Sequence, residues 1–154
     1  TITNMRAVIQ RVSQASVIID EKRVASINNG LLVLLGIETE DTKEDAKWLA
    51  NKISALRIFS DNDDKMNKSI LEINGEAIIV SQFTLHAKTK KGNRPSYIKA
   101  ARPEESIPLY ENFKEDLSIA IGKQVQSGVF GAKMKVDLIN DGPVTIIIDT
   151  RNKE

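Results

Sequence analysis

The chain carries 154 residues, 41% of them hydrophobic, with 22 Lys and Arg against 21 Asp and Glu for a net charge of +1, and no Cys. A chain of this length makes one domain whose core needs neither disulfide nor structural metal, and the absence of Cys excludes a thiol nucleophile, an iron–sulfur site and a zinc-thiolate site. No apolar run approaches the roughly 18 residues of a membrane span, the cytoplasm is the default compartment, and the balanced charge requires any nucleic-acid binding to come from a local patch.

Thr1 to Asn4 precede Met5 and are read as an extension or cloning remnant without a role, which leaves one domain over residues 5–150. Met5–Val12 and Ala15–Ile19 read as two strands separated by the polar pair Ser13-Gln14, and Val24–Ile27 as a third. Asn28-Asn29-Gly30 is a turn signal feeding the unbroken apolar run 31–37, which predicts a strand buried on both faces. Thr42 and Asp45 have capping-box spacing, and Ala46, Leu49, Ala50, Ile53 and Leu56 repeat at helical intervals, so a helix is predicted from about 42 to 56. The acids Glu38, Glu40, Asp41, Glu44 and Asp45 at its start read as a solvated cap favoured by the helix dipole rather than as a metal site.

Residues 60–69 read as a loop and 72–75 as a turn into a strand over Ala77–Phe83. Residues 86–102 hold Lys88, Lys90, Lys91, Arg94, Lys99 and Arg102 with no acid among them, a local basic patch that the net charge conceals. Leu109, Phe113, Leu117, Ala120 and Ile121 mark a second amphipathic helix, begun or kinked near Pro108 and closed by Gly122. Strands over Val125–Phe130, Lys133–Ile139 and Val144–Asp149 complete the chain, the last two joined by a turn at Asn140-Asp141-Gly142-Pro143. The expected class is α+β, a β-rich mixed sheet or barrel-like core with two principal helices packed on it.

A single His narrows the chemistry, because neutral-pH general bases are most often His and catalytic zinc usually takes two or three. A Ser-His-Asp triad would need His86, yet no G-x-S-x-G elbow is present, and neither phosphate-binding glycine loop occurs. Asp61, Asp63 and Asp64 offer hard oxygen ligands but lack the Gly and terminal Glu of an EF-hand, so an acidic loop is the simpler reading and a carboxylate-metal hydrolase the rival. Two features remain open between a structural and a functional role. Ser81-Gln82-Phe83-Thr84 is a strand end whose released N–H groups could face an oxyanion, and Lys88–Arg102 with Tyr97 has the charge and stacking surface for a single-stranded RNA end.

Six segments in order along the chain resemble the D-aminoacyl-tRNA deacylase family, of the D-tyrosyl-tRNA deacylase type. They are the run from Met5 to Val12, Lys65-Met66-Asn67, the run from Val80 to Leu85, the run from Lys90 to Ser96, the run from Gly128 to Ala132, and the run from Asn140 to Thr145. The resemblance covers Met5 to about Thr150. It departs at Asp64, where the family often has Gly, at His86, where an apolar or aromatic residue is commoner, and at Tyr97, which replaces a frequent Phe.

The resemblance implies a homodimer with its active site at the subunit interface, hydrolysing the ester between a D-amino acid and the tRNA 3′ end as translation proofreading, without metal or organic cofactor. Glycine mischarged on tRNA is a further candidate substrate. Ser81, Gln82 and Phe83 would form the floor of the site, with backbone N–H groups on the oxyanion and Thr84 following. Phe130, Met134 and Ala100 fall where the family lines its adenosine pocket. Gly142-Pro143 matches a cis Gly-Pro pair that reaches across the dimer to exclude L-amino acids, and Arg11 an arginine that orients it. Lys88, Lys90, Lys91 and Arg94 would meet the tRNA. Thr84 as nucleophile is one view of the family and activation by the ribose 2′-hydroxyl the other; the second is favoured here, since a Thr hydroxyl needs a base and no second His exists. A non-catalytic RNA-binding module using residues 88–102 is the alternative function.

Overall fold

The computed structural model describes residues 4–154, so the expectation for Thr1–Thr3 lies outside the described residues. Asn4 is tied down, its N–H donating to Glu38 Oε2 at 3.1 Å. The first strand, β1 (Arg6–Ile19), is continuous through Ser13-Gln14 rather than broken there. The polar pair marks a change of partner. Before it, Arg6–Val12 pairs antiparallel with β3 (Gly30–Gly36); after it, Ala15–Ile19 pairs with β2 (Lys22–Ile27).

Along the other edge of β1 runs the last strand, β8 (Lys135–Asp149), where two strands and a turn were expected. Both halves of β8 pair with β1 in the same antiparallel sense, so Asn140–Pro143 does not reverse the chain. Between the pairs Val12–Asn140 and Gln10–Thr145 the residues 141–144 bulge out of the ladder. Asn140 ties the bulge: its Oδ1 accepts the Val144 N–H at 2.7 Å, and its Nδ2 donates to the Val144 carbonyl and Thr145 Oγ1. A turn signal therefore served a bulge.

The other edge of β3 pairs in parallel with β6 (Glu76–Ser81), and β6 in parallel with the two-residue β7 (Gln126–Ser127). Gln126 Oε1 accepts the Ser26 N–H at 2.7 Å, linking β2 to β7 across the remaining gap. The result is a nearly closed mixed sheet, of the α+β class expected. A small hairpin, β4 (Phe59–Ser60) with β5 (Met66–Lys68), occupies part of the stretch expected to be loop. The helix α1 (Lys43–Ala55) starts at the predicted capping box, with Thr42 and Asp45 bonding reciprocally. The second, α2 (Pro103–Ile121), begins a turn earlier than expected, because Pro103 supplies the first helical φ; Pro108 lies inside it and Gly122 closes it.

One core lies between the sheet and both helices, bringing Leu49 and Ile53 of α1 and Tyr110, Phe113 and Leu117 of α2 onto Ile9, Val33 and Ile79. A second fills the opposite face, with Val12, Val17, Leu32, Ile78 and Val80 under Met134, Val136 and Leu138. The run 31–37 is thus buried from both sides, as its unbroken apolar character predicts. Among the described residues no helix is long and apolar enough to cross a membrane.

At the start of the parallel pair, a Cβ on Gly30 would lie 1.7 Å from the Glu76 carbonyl oxygen. The Glu76 oxygen is backbone and cannot swing away, so Gly30→Ala should destabilise the fold by about 3 kcal/mol or more, read as a lowered urea midpoint.

Candidate active site

The parallel strands β3 and β6 end side by side, and the site is built where they end. The Gln82 N–H donates to the Leu35 carbonyl at 2.8 Å, the last bond of that ladder, and the chain then folds into a single 3₁₀ turn, Phe83–His86. The strand expected to reach Phe83 stops at Ser81 for this reason. Because Gln82 has spent its N–H on Leu35, the donors left at the turn are those of Phe83 and Thr84, which take no acceptor among the described residues. Gln82 Nε2 donates to Thr84 Oγ1, so the two side chains brace each other.

Beside this turn lies a cavity of about 260 Å³. Ser81, Gln82 and Phe83 line one side of it, Phe130 and Met134 another, with Leu35, Ile37, Ala101 and Ser106 between. Five sequence-nominated residues from two distant segments therefore converge. Ala101 rather than Ala100 meets the cavity; Ala100 is paired with Glu38 in an isolated bridge next to it. Phe130 is held edge-on by Tyr110 at 5.7 Å, and the buried Tyr110 hydroxyl, its pKa pushed up to about 12 chiefly by burial, donates to the Ile79 carbonyl.

Thr84 does not line the cavity. Arg11, Gly142 and Pro143 also lie away from it within one chain, on β1 and on the bulge of β8. Arg11 spans two segments there, donating from Nε to the Asp141 carbonyl at 2.8 Å and from Nη1 to the Ile58 carbonyl at 2.7 Å. The Gly142-Pro143 peptide is cis, and Gly142 has φ 139°. A Cβ there would come within 2.9 Å of both Arg11 Nη2 and Val144 Cγ2.

The nominated cations Lys88, Lys90, Lys91 and Arg94 are exposed on the loop after the turn, which is pinched at its base by paired Lys88 and Ser96 backbones. Tyr97 returns to the site and stacks edge-on against Phe83 at 4.9 Å, both rings partly exposed. The loop and the floor of the site thus share an aromatic face. In the rival acidic loop, Asp61 accepts from the N–H groups of Asp63 and Lys65 and from Asn67 Nδ2, bonds that hold its carboxyl below the usual range. Asp64 sits at φ 59°, a left-handed position that Asp tolerates.

The acids before α1 depart from the solvated cap expected. Glu40 and Glu44 are exposed, but Glu38, Asp41 and Asp45 are buried. Asp45 is used twice, in the capping box and by Arg151 at 3.0 Å. Asp41 Oδ2 accepts the Glu38 N–H at 2.7 Å, while its Oδ1 has no partner. The residues that sequence reasoning missed are of this kind: Glu38, Ala101, Ser106, and Arg6, whose Nη1 donates to the Leu85 carbonyl at 2.7 Å while its Nε holds Asp149. Glu38 and Arg6 are marked by side-chain contacts between distant segments and Ala101 by a backbone bond to Ile37, none of them visible to periodicity, while Ser106 bonds only locally to the Arg102 carbonyl.

The D-Tyr-tRNA(Tyr) deacylase family, compared as a whole, matches residues 8–149. The chain belongs to this family. It is 65% identical over 150 residues to a D-aminoacyl-tRNA deacylase of Flavobacterium psychrophilum, covering 97% of this chain and 100% of the relative. A D-aminoacyl-tRNA deacylase of Bacteroides fragilis is 64% identical with the same coverage. Among solved structures, one named c-Myc DNA Unwinding Element Binding Protein superposes with a TM-score of 0.88 at 40% identity, covering 94% of this chain and 97% of the other. Membership makes the chain a hydrolase.

Burial, with repulsion from Asp45 and Glu38, pushes the Asp41 carboxyl up to about 7. The native state therefore holds a proton that the unfolded chain releases near 3.8, so Asp41 makes stability fall as pH rises from about 4 to about 7. Asp41→Asn should flatten this part of the stability profile, measured by urea unfolding at pH 5 and pH 8.

Proposed function

We propose that this chain hydrolyses the ester of D-aminoacyl-tRNA, releasing the free D-amino acid and tRNA, as a cytoplasmic homodimer that proofreads translation. The observation that carries the reading is the 3₁₀ turn at the mouth of the cavity, with two unengaged N–H donors, on Phe83 and Thr84, side by side. Preorganised donors of this kind stabilise the oxyanion that forms when an ester carbonyl is attacked. Water adds to the carbonyl carbon, the bond to the ribose 3′ oxygen breaks, and that oxygen leaves with a proton.

No side chain at the turn is placed to act as general base. Thr84 Oγ1 is bonded to Gln82 Nε2, and the sole imidazole, His86, is buried with Nδ1 directed at Glu38. This supports activation by the substrate's own 2′-hydroxyl, with the protein positioning and polarising. The partly exposed Phe83–Tyr97 face suits a terminal base, and Lys88, Lys90, Lys91 and Arg94 suit the phosphates that precede it.

A cavity of about 260 Å³ is small for an aminoacylated nucleoside, at the lower edge of ligand sites, which fits a site completed by a second subunit. The outer face of β8 is the natural contact, because Ile139 and Ile147 are 51% and 66% exposed on it. Gly142 and Pro143, braced through Arg11 on Asp141, would then enter the partner's site and exclude an L side chain with rigid backbone atoms. Hydrolysis in this scheme needs no metal or organic cofactor, and mischarged glycine, having no side chain to exclude, falls within its reach.

Incubation with D- and L-aminoacyl-tRNA, with and without EDTA, should show D-selective hydrolysis unaffected by the chelator. RNA binding without hydrolysis would leave only a binding module, and loss with EDTA restored by Mg²⁺ would favour a metal site. Thr84→Ala should keep substantial single-turnover activity, whereas a 2′-deoxy terminal adenosine should be nearly inert. The reverse order of damage, or an acyl-Thr84 adduct by mass spectrometry, would assign Thr84 as nucleophile.

A further inference from the structure

His86 closes the 3₁₀ turn that opens with Phe83, and its side chain is fully buried with Nδ1 2.8 Å from Glu38 Oε1. This is ion-pair distance without the alignment of a linear hydrogen bond. The opposite ring edge lies against Gly36, where a Cβ would come within 3.0 Å of Cδ2 and Nε2. Glu38 in turn joins the turn to the cavity wall. Its backbone pairs with Ala100, between bonds from Thr39 N–H to the Lys99 carbonyl and from Ala101 N–H to the Ile37 carbonyl. The wall residue Ala101 and the donors of Phe83 and Thr84 are therefore related through one buried side-chain pair.

We propose that Glu38 and His86 are positioning residues that set the Phe83–His86 turn against the Lys99–Ala101 wall, fixing the width of the cavity where the ester is held. The proposal rests on the deacylase reading. Neither side chain reaches solvent: Glu38 is 4% exposed and the ring not at all. A buried polar group that loses its partner is strongly disfavoured, so the pair holds two backbone segments in one register, which apolar packing would allow to slide. The surrounding charges reinforce it. Asp41 and Asp45 lie on the acid's side, with Arg151 on Asp45, and Arg6 grips the Leu85 carbonyl from the other side of the turn.

Single-turnover and steady-state rates on D-aminoacyl-tRNA test it with wild type, His86→Leu and His86→Asn. Leu fills the space without a donor, whereas the Asn amide can place one near the position of Nδ1. His86→Leu should lose roughly tenfold to a hundredfold in kcat with KM for tRNA within about twofold, and His86→Asn should recover most of it. Being the only imidazole, His86 also gives a single Hε1–Cε1 ring resonance in the wild type, which should shift when a D-aminoacyl 3′-amino-3′-deoxyadenosine amide binds. That readout serves even where His86→Leu fails to fold. A folded His86→Leu with wild-type kcat, a His86→Asn no better than it, or a ring resonance unmoved by saturating amide would overturn the proposal while wild-type hydrolysis still stood. Wild-type protein that leaves D-aminoacyl-tRNA intact would overturn the deacylase reading itself, and the proposal with it.

Discussion

Parallel pairing of β3 with β6 is the constraint on which the site depends. Two strands buried on both faces can carry almost nothing but apolar side chains, so polar chemistry is displaced to where they stop. They stop together, at the Gln82–Leu35 bond, and a parallel sheet that ends this way leaves its next backbone donors without strand partners. The 3₁₀ turn leaves that deficit as two N–H groups without acceptors, on Phe83 and Thr84, next to a cavity that Phe83 lines. Gly30 at the other end of the same pair is needed for the same closeness of backbones, so the two ends of one ladder are linked in what they demand of the sequence.

Charge is placed with equal economy. The turn has no acidic or basic side chain directed into the cavity, yet behind it a carboxylate and an imidazole are buried in contact, flanked by Asp41 and Asp45. Burying these groups costs stability, as the raised Asp41 carboxyl shows, and the cost is localised where chain segments distant in sequence must be held in one arrangement. Arg6 and Arg11 do related work on the exposed side, each joining two backbone or side-chain acceptors from different elements.

What was legible in the sequence divides along this line. The capping box at Thr42, the doubly buried run 31–37 and the α+β class follow from local pattern, and the structure has them. The readings of Ser13-Gln14 and Asn140–Pro143 as breaks failed for one shared reason. A polar or turn-forming stretch reports that the ladder is interrupted, but only the partner strand decides whether the chain reverses or bulges and goes on. Pro103 was passed over because the apolar repeat of α2 starts later than its first turn. At the site, Ser81–Phe83 stand out as a strand end with released N–H groups, whereas Phe130 and Met134 follow from resemblance alone, since residues 81 and 130 come together through the β6–β7 pairing rather than through any spacing rule. Glu38 was misread as a solvated acid because its position beside α1 is what a cap would show; its burial is set by the chain returning at Ala100.

The separation of Gly142-Pro143 from the cavity within one chain bears on how chirality can be read. A pocket that recognised a D side chain by contact would have to be remade for every amino acid, whereas a wall against the L direction needs to be built once. Backbone makes the better wall, since a side chain can rotate away and a carbonyl held by a guanidinium cannot. Arg11 holds the Asp141 carbonyl next to Gly142, and Asn140 ties both sides of the bulge, so that segment is stiff before any partner arrives. On the deacylase reading, a rigid element presented by one subunit to the open cavity of the other makes discrimination conditional on assembly. On that proposal a monomer would have the oxyanion donors without the wall, and coupling the two through a dimer would keep an unselective hydrolase from acting on the L-aminoacyl-tRNA that translation consumes.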